Sequence, residues 1–369
     1  MVDSAGIVAA LKQTGVRFVS GVPDSVLAEF SNEVDRDPGF EHVIAACEGG
    51  AVAMAAGNWI ATGRMPCAYM QNSGLPNALN PLMTLLSESV LNTPMLLVIG
   101  WRGRPGSVDE PQHRLTGAAL EHLLAAADVR AVRADDLSDL QLQNYMRETM
   151  LARRRGAILV LPCSRAGQHA PSPGGEGLEK RAVLRVLLAG IGRDDCCVAG
   201  LGHTAREVLA LRGCEGDIDL PAVGGMGFAF SLAAGVALGL AKGRVYLIDG
   251  DGSFLMHAGN AAIVGPRRDL PLTHIVLANG CHASVGGQPL ANAQVDYVAV
   301  ARGLGFPSAL SVATLDDLEL TLARYASGAA CLIKVPIRPS FPEDLPRPRD
   351  ALSSVADAVA RRLRATGND

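Results

Sequence analysis

The sequence predicts an α/β protein made of two doubly wound parallel-sheet domains. Three observations carry that expectation. Apolar runs of strand length alternate with helix-length segments along the chain, the pattern of parallel sheets covered by helices. Nearly half of the 369 residues are apolar and only 19% are charged, while glycine is plentiful at 41 residues and aromatics make up only 4%. Small residues of that kind let helices lie close to a sheet. Third, residues 168–180, QHAPSPGGEGLEK, hold two prolines and three glycines without apolar periodicity and read as a linker. The expected domains are therefore 1–167 and 181–369.

In the first half, strands are expected over 17–20, 42–45, 66–70, 95–101, 129–132 and 157–161, with helices over 4–14, 49–62 and 137–154. In the second, strands are expected over 196–199, 244–248, 272–278 and 330–334, with helices over 204–211, 227–240 and 350–365. Leu352, Val355, Val359 and Leu363 are spaced for one face of the last helix. Ligands belong at the loops after the carboxyl ends of such strands.

Composition excludes several classes. A net charge of −4 gives no electrostatic reason to expect nucleic acid. No stretch reaches the ~20 apolar residues of a membrane span; residues 226–241 are broken by three glycines and a serine. The N-terminus lacks the basic region and cleavage site of a signal peptide. The eight cysteines are scattered without CxxC pairs, which argues against zinc and for reduced thiols. A cytoplasmic protein is expected.

The chemistry-bearing residues cluster at strand ends. VYLIDGDGS is an apolar strand running into Gly250-Asp251-Gly252-Ser253, where glycines let the backbone approach an anion and Asp251 offers a hard oxygen. Twenty-eight residues later a second apolar strand ends at Asn279-Gly280-Cys281. Mg²⁺ takes a few protein oxygens plus phosphate oxygens, and Asp251, Asn279 and a backbone carbonyl at Cys281 could supply them. Taken alone, Asp-Gly reads as a turn; paired with an Asn at a second strand end, it reads as a site.

Gly250-Asp251-Gly252-Ser253 with Asn279 resembles the GDG-x-N signature of thiamine-diphosphate enzymes, although Ala278 stands where the family often has a further Asn. The resemblance implies the thiamine-diphosphate-binding fold, with a pyrimidine-binding front domain and a diphosphate- and Mg²⁺-binding rear domain. It implies that Asp251, Asn279 and the Cys281 carbonyl hold Mg²⁺. It further implies that Glu48, which ends a strand and opens a small-residue helix, is the catalytic acid bonded to the cofactor's pyrimidine ring. Gly224-Gly225-Met226-Gly227 is similar to the loop that bends the cofactor, with Met226 as the wedge and the Gly224 carbonyl as an acceptor. Gly202, His203 and Thr204 are then placed to meet the diphosphate. The cofactor of this family lies between two chains, so a homodimer is implied.

The front half sharpens the likeness. Gly21-Val22-Pro23-Asp24-Ser25, Gln71-Asn72-Ser73-Gly74, Asn80-Pro81-Leu82 and, further on, Ser284 to Pro289 are similar to segments of phosphonopyruvate and sulfopyruvate decarboxylases. Gly100-Trp101-Arg102-Gly103, followed by Asp109 to His113, is similar to the phosphonopyruvate group. Such a family implies a small anionic 2-oxo acid as substrate and its non-oxidative decarboxylation. Arg102, Arg104 and His113 are expected to grip the anionic tail, since the Arg fork suits such oxygens. Asp24, Ser25, Asn72 and Ser73 are expected near the reacting carbons. Two departures stand out: Ala283 follows His282 where the family has an acid, and Phe228 follows the Met226 loop where it has His. An alternative is an NAD-dependent oxidoreductase, from the run Gly200-x-Gly202-x-x-Ala205 with Asp217 or Asp219 beyond it.

Overall fold

The computed structural model describes residues 2–162, 176–200, 202–213, 219–342, 345 and 352–365. They form two compact units. One is Met1–Ala170 with Val285–Ala291; the other is Pro171–Ser284 with Asn292–Asp369. Residues 285–291, expected in the rear domain, thus pack with the first unit. Of the expected linker, 168–175 lie outside the described residues. Leu178 already bridges Ile337, and Lys180 opens a helix.

The first unit holds strands β1 (Phe18–Gly21), β2 (Glu41–Ile44), β3 (Cys67–Gln71), β4 (Met95–Gly100), β5 (Val129–Arg133) and β6 (Arg155–Val160). Its helices are α1 (Ser4–Gln13), α2 (Ala28–Arg36), α3 (Glu48–Thr62), α4 (Leu75–Asn80), α5 (Pro111–Ala126) and α6 (Asp139–Leu151). The sheet order is β2-β1-β3-β4-β6-β5, all parallel. Along β4, Met95, Leu97 and Ile99 enter one apolar cluster and Leu96 and Val98 the other. Both faces are therefore buried, which is why these strands read as continuous apolar runs. A capping box of Ser138 and Gln141 sets the start of α6, two residues inside the expected helix.

The second unit holds β7 (Cys196–Ala199), β8 (Asp219–Pro221), β9 (Val245–Gly250), β10 (Leu272–Ala278), β11 (Ser308–Ser311) and β12 (Cys331–Pro336). Its helices are α7 (Lys180–Gly190), α8 (His203–Arg212), α9 (Ala229–Gly239), α10 (Asp251–Met256), α11 (Tyr297–Gly303), α12 (Leu315–Arg324) and α13 (Leu352–Ala365). The order is β11-β12-β10-β9-β7-β8, again parallel. The expected two doubly wound parallel sheets are both present. β8 and β11 were not expected; they are the short, polar edges, where burial on both faces no longer marks a strand. No helix among the described residues is long and apolar enough to cross a membrane.

In both sheets the chain leaves a central strand in one direction and resumes on its other side, between β1 and β3 and between β7 and β9. Those reversals open the crevices in which α/β proteins bind ligands. At the opposite end of the second sheet lies Arg244, 1% exposed. Its side chain donates to Thr273 Oγ1 at 2.6 Å and to the carbonyls of Leu272, Gly328 and Ala329 at 2.8–3.0 Å. It gathers the starts of β9, β10 and β12. Arg244→Met leaves those acceptors unpaired and is expected to cost about 3 kcal/mol, read as a lower urea midpoint.

Candidate functional site

In the first unit the candidate side chains stand on the loops after β1, β2, β3 and β4. Asp24 is 1% exposed. Its carboxylate accepts from the Val26 N–H at 3.0 Å and from Gln71 Nε2 at 2.7 Å. Ser73 Oγ donates to Gln71 Oε1, so Gln71 links the expected residues Asp24 and Ser73. Burial raises the Asp24 pKa, opposed by the Gln71 hydrogen bond, the Val26 amide and the positive charge of Arg102. Ser25 is half-buried beside it. Gly100 closes β4 against this loop: a Cβ there would stand 2.6 Å from Asp24 Oδ2.

Asn72, also 1% exposed, exchanges two hydrogen bonds with Arg102: Nδ2 donates to its carbonyl and Oδ1 accepts its N–H, both at 2.9 Å. The guanidinium of Arg102 closes on Asp109, with Nε at 2.8 Å from Oδ2 and Nη2 against Oδ1, and Glu110 lies 3.8 Å away. Against the opposing effect of burial, the Arg102 bonds and the Gly103 and Glu110 amides hold the Asp109 carboxyl well below its ordinary range. Arg102 therefore already has a carboxylate in its fork. Arg104 lies over Trp101, its Cζ 5.6 Å from the ring centroid. Gly103, at φ 67°, folds this loop onto the backbone of His113 in the first turn of α5. The structure thus brings Asp24, Ser25, Asn72, Ser73 and Arg102 together, with Arg104 and His113 on the adjoining turn.

Glu48 is the first residue of α3 and is 1% exposed. Asn77 Nδ2 donates to its Oε2 at 2.9 Å. A Cβ on Gly74 would overlap Glu48 Oε1, so the glycine of Gln71-Asn72-Ser73-Gly74 exists to admit that carboxyl. Burial raises the Glu48 pKa, and the Asn77 bond only partly offsets it.

The second unit builds its site at the ends of β7, β9 and β10. Asp251 opens α10 and is 4% exposed. Its Oδ2 accepts the N–H groups of Asn279 and Gly280, both at 2.8 Å, and Oδ1 that of Gly252 at 2.9 Å. Burial raises its pKa against those amides. Asn279 Oδ1 accepts the Cys281 N–H at 3.0 Å, which curls the chain so that residues 251, 279 and 281 share one corner. Ser253 Oγ is buried with no hydrogen-bond partner. Gly250 has nothing within 4 Å of a Cβ position, leaving open space at the strand end. Gly202, at φ 87°, precedes His203 and the buried Thr204 at the start of α8 and lies against Ser284.

Gly224, Gly225 and Gly227 all have positive φ, which only glycine adopts at little cost, and they hold the half-buried Met226 between them. Gly227 passes so close to Met256 and His257 that a Cβ would stand 2.7 Å from the imidazole. Phe228 stacks on His257 at 4.4 Å. An imidazole therefore stands by this loop although position 228 is Phe. His282 is lowered to about 4 by burial and is neutral at pH 7.

Asp219, named for the dinucleotide alternative, turns inward, 4% exposed and 3.4 Å from Arg212; it is not presented to a ribose. Asp217 lies outside the described residues. Sequence reading missed Asn77, Gln71 and Asp109 as site residues, although Gln71 and Asp109 lay inside flagged motifs.

The raised Glu48 pKa has a measurable sign. Stability from its protonated form is complete below the ordinary value of 4.5 and is lost as pH rises through the folded value. Glu48→Gln mimics the protonated acid, so the cofactor-free variant should resist urea better than the parent at pH 8 and equally at pH 4.

Known proteins resemble the chain throughout. The family described as thiamine pyrophosphate enzyme, N-terminal TPP binding domain, matches residues 3–122, and the corresponding C-terminal TPP binding domain matches 204–335. A phosphonopyruvate decarboxylase of Streptomyces viridochromogenes is 36% identical, covering 99% of this chain and 95% of that protein. One from Streptomyces hygroscopicus is also 36% identical, over 99% and 94%. The sulfopyruvate decarboxylase subunit beta of Methanothermobacter thermautotrophicus is 30% identical over 41% of this chain and 78% of its own. With both cofactor-binding domains matched and full-length similarity to two such decarboxylases, the chain belongs to the thiamine pyrophosphate enzymes and, among them, to the phosphonopyruvate decarboxylase family.

Proposed function

We propose that the protein decarboxylates phosphonopyruvate to phosphonoacetaldehyde and CO₂, with thiamine diphosphate and Mg²⁺ as cofactors. The observation that supports it most is 36% identity to phosphonopyruvate decarboxylases across 99% of the chain. The donor chemistry fits the cofactors. Asp251, the Asn279 side-chain oxygen and the Cys281 carbonyl are the few hard oxygens that Mg²⁺ takes from protein. The unpaired Ser253 hydroxyl and the space at Gly250 suit diphosphate oxygens, with Gly202, His203, Thr204 and Gly252 as further contacts. Met226 and the Gly224 carbonyl would support the cofactor's rings.

When bound, thiamine diphosphate supplies a nucleophilic carbon and an electron sink for the pair released with CO₂. The protein's part is orientation, desolvation and proton placement. Glu48, its pKa raised by burial and its Oε2 accepting from Asn77, is disposed to hold a proton on Oε1 and would share it with a cofactor ring nitrogen. Decarboxylation to the aldehyde takes up one proton, and Asp24 with Ser25, Asn72 and Ser73 forms the polar surface where the reacting carbons would lie. Arg102 is shaped by Asp109, and with Arg104 and His113 it lends positive charge to the substrate's tail. Leaving the departing carboxylate without a tight ion pair avoids stabilising the ground state.

A homodimer is proposed as the working unit. Met54 and Ile60 on α3 and Phe228 and Leu232 at α9 are exposed apolar side chains that a second copy can cover.

Two measurements test these assignments. Glu48→Gln should retain thiamine diphosphate by calorimetry while kcat falls at least 100-fold, whereas Asp251→Ala should lose Mg²⁺-dependent cofactor binding. Wild-type kcat/KM should be higher for phosphonopyruvate than for sulfopyruvate; the reverse order would establish the sulfonate reading instead.

A further inference from the structure

Gln288 is 3% exposed, and neither its Nε2 nor its Oε1 has a hydrogen-bond partner. A carboxamide with two donors and an acceptor, shut away from water, is costly unless something else completes its bonds. The segment Val285–Ala291 belongs to the first unit, and its Gly286 lies between the Gln288 carboxamide and the first residue of α2. A point one bond from Gly286 Cα lies 2.8 Å from Gln288 Nε2, 3.0 Å from its Oε1 and 3.3 Å from the Ala28 methyl. Gly286, at φ 137°, is the residue that permits this close fold.

Ala28 begins α2, a helix whose N-cap, Leu27, provides no side-chain hydrogen bond. The Asp24 carboxylate takes the Val26 and Leu27 amides just before the helix. The first-turn amides have no intrahelical acceptor by construction, and the helix dipole gives this end a partial positive charge. An anion meets both conditions there. Glu29 in the same turn is exposed, and Asp24 is the acid whose protonated form burial favours.

We propose that the Gln288 carboxamide and the amides opening α2 receive the anionic tail of the substrate, a phosphonate. This rests on the reading of the protein as a decarboxylase of an anionic 2-oxo acid, and it adds a residue that weights the choice of anion in this chain, beside whatever else separates two groups that share the 284–289 segment. A phosphonate monoanion offers acceptor oxygens to Nε2 and an O–H to Oε1. A sulfonate offers acceptors alone and leaves Oε1 unpaired. Gln288 thus discriminates the two acids by its acceptor, while Arg102 and Arg104 supply charge that serves both.

The test uses the holoenzyme, isothermal titration and two unreactive probes without a ketone, 3-phosphonopropionate and 3-sulfopropionate. Wild type should bind the phosphonate about tenfold tighter, the effect of one buried hydrogen bond made rather than left unmade. Gln288→Met should bring the two affinities to within about twofold, and the kcat/KM ratio for phosphonopyruvate over sulfopyruvate should shrink in parallel. Gln288→Glu, the same shape with an added charge, should weaken both probes and guards against a Met variant that fails to fold; circular dichroism and retained thiamine diphosphate binding verify either variant. Equal preference in wild type and folded variants overturns the proposal. If the wild type decarboxylates phosphonopyruvate but its preference ignores Gln288, this site falls and the function stands. If it binds the phosphonate through Gln288 yet releases no CO₂ from phosphonopyruvate, the function falls and the site stands.

Discussion

Holding carboxyl groups out of water at the ends of parallel strands is the constraint around which both units are arranged. Glu48, Asp24 and Asp251 are each at most 4% exposed, and each is pushed toward its protonated form by that burial. An isolated buried carboxylate is untenable, so each has recruited partners. Asn77 and the bare backbone of Gly74 accommodate Glu48; Gln71 and the Val26 amide hold Asp24; the amides of Gly252, Asn279 and Gly280 hold Asp251. The partners fix the loops, and the loops fix the remaining polar groups.

The two acids of the catalytic reading are solvated in different ways, and the difference suits the roles proposed for them. Asp251 is held by backbone N–H groups, which favour the charged form and leave it ready for a cation. Glu48 has the Asn77 amide and a close glycine instead. Burial raises both pKa values, and the donors that oppose it are backbone amides at one acid and chiefly a side-chain amide at the other.

Much of this was legible before any coordinates. The buried strands announce themselves as apolar runs because helices cover both faces, and their ends carry Glu48, Asp251 and Asn279. The partners were not legible. Gln71 meets Asp24 across 47 residues and Asn77 meets Glu48 across 29, and no local pattern encodes either encounter. Asp109 was hidden for a related reason: within a Gly- and Pro-rich loop a carboxylate looks solvated until its Arg102 bonds are seen. The edge strands β8 and β11 escaped because an edge needs neither length nor apolar alternation. The return of 285–291 to the first unit depends on tertiary packing alone.

The shape of β8 has a consequence for how the molecule behaves in a crowded solution. This outermost strand spans three residues and ends at Pro221, so at most two of its amide hydrogens exist, and some of its backbone is already engaged with β7. A neighbouring polypeptide looking for a template along that rim finds too few donors to zip onto. Among the described residues the sheet stops there, and fibre-like growth through that margin is denied at its first rung.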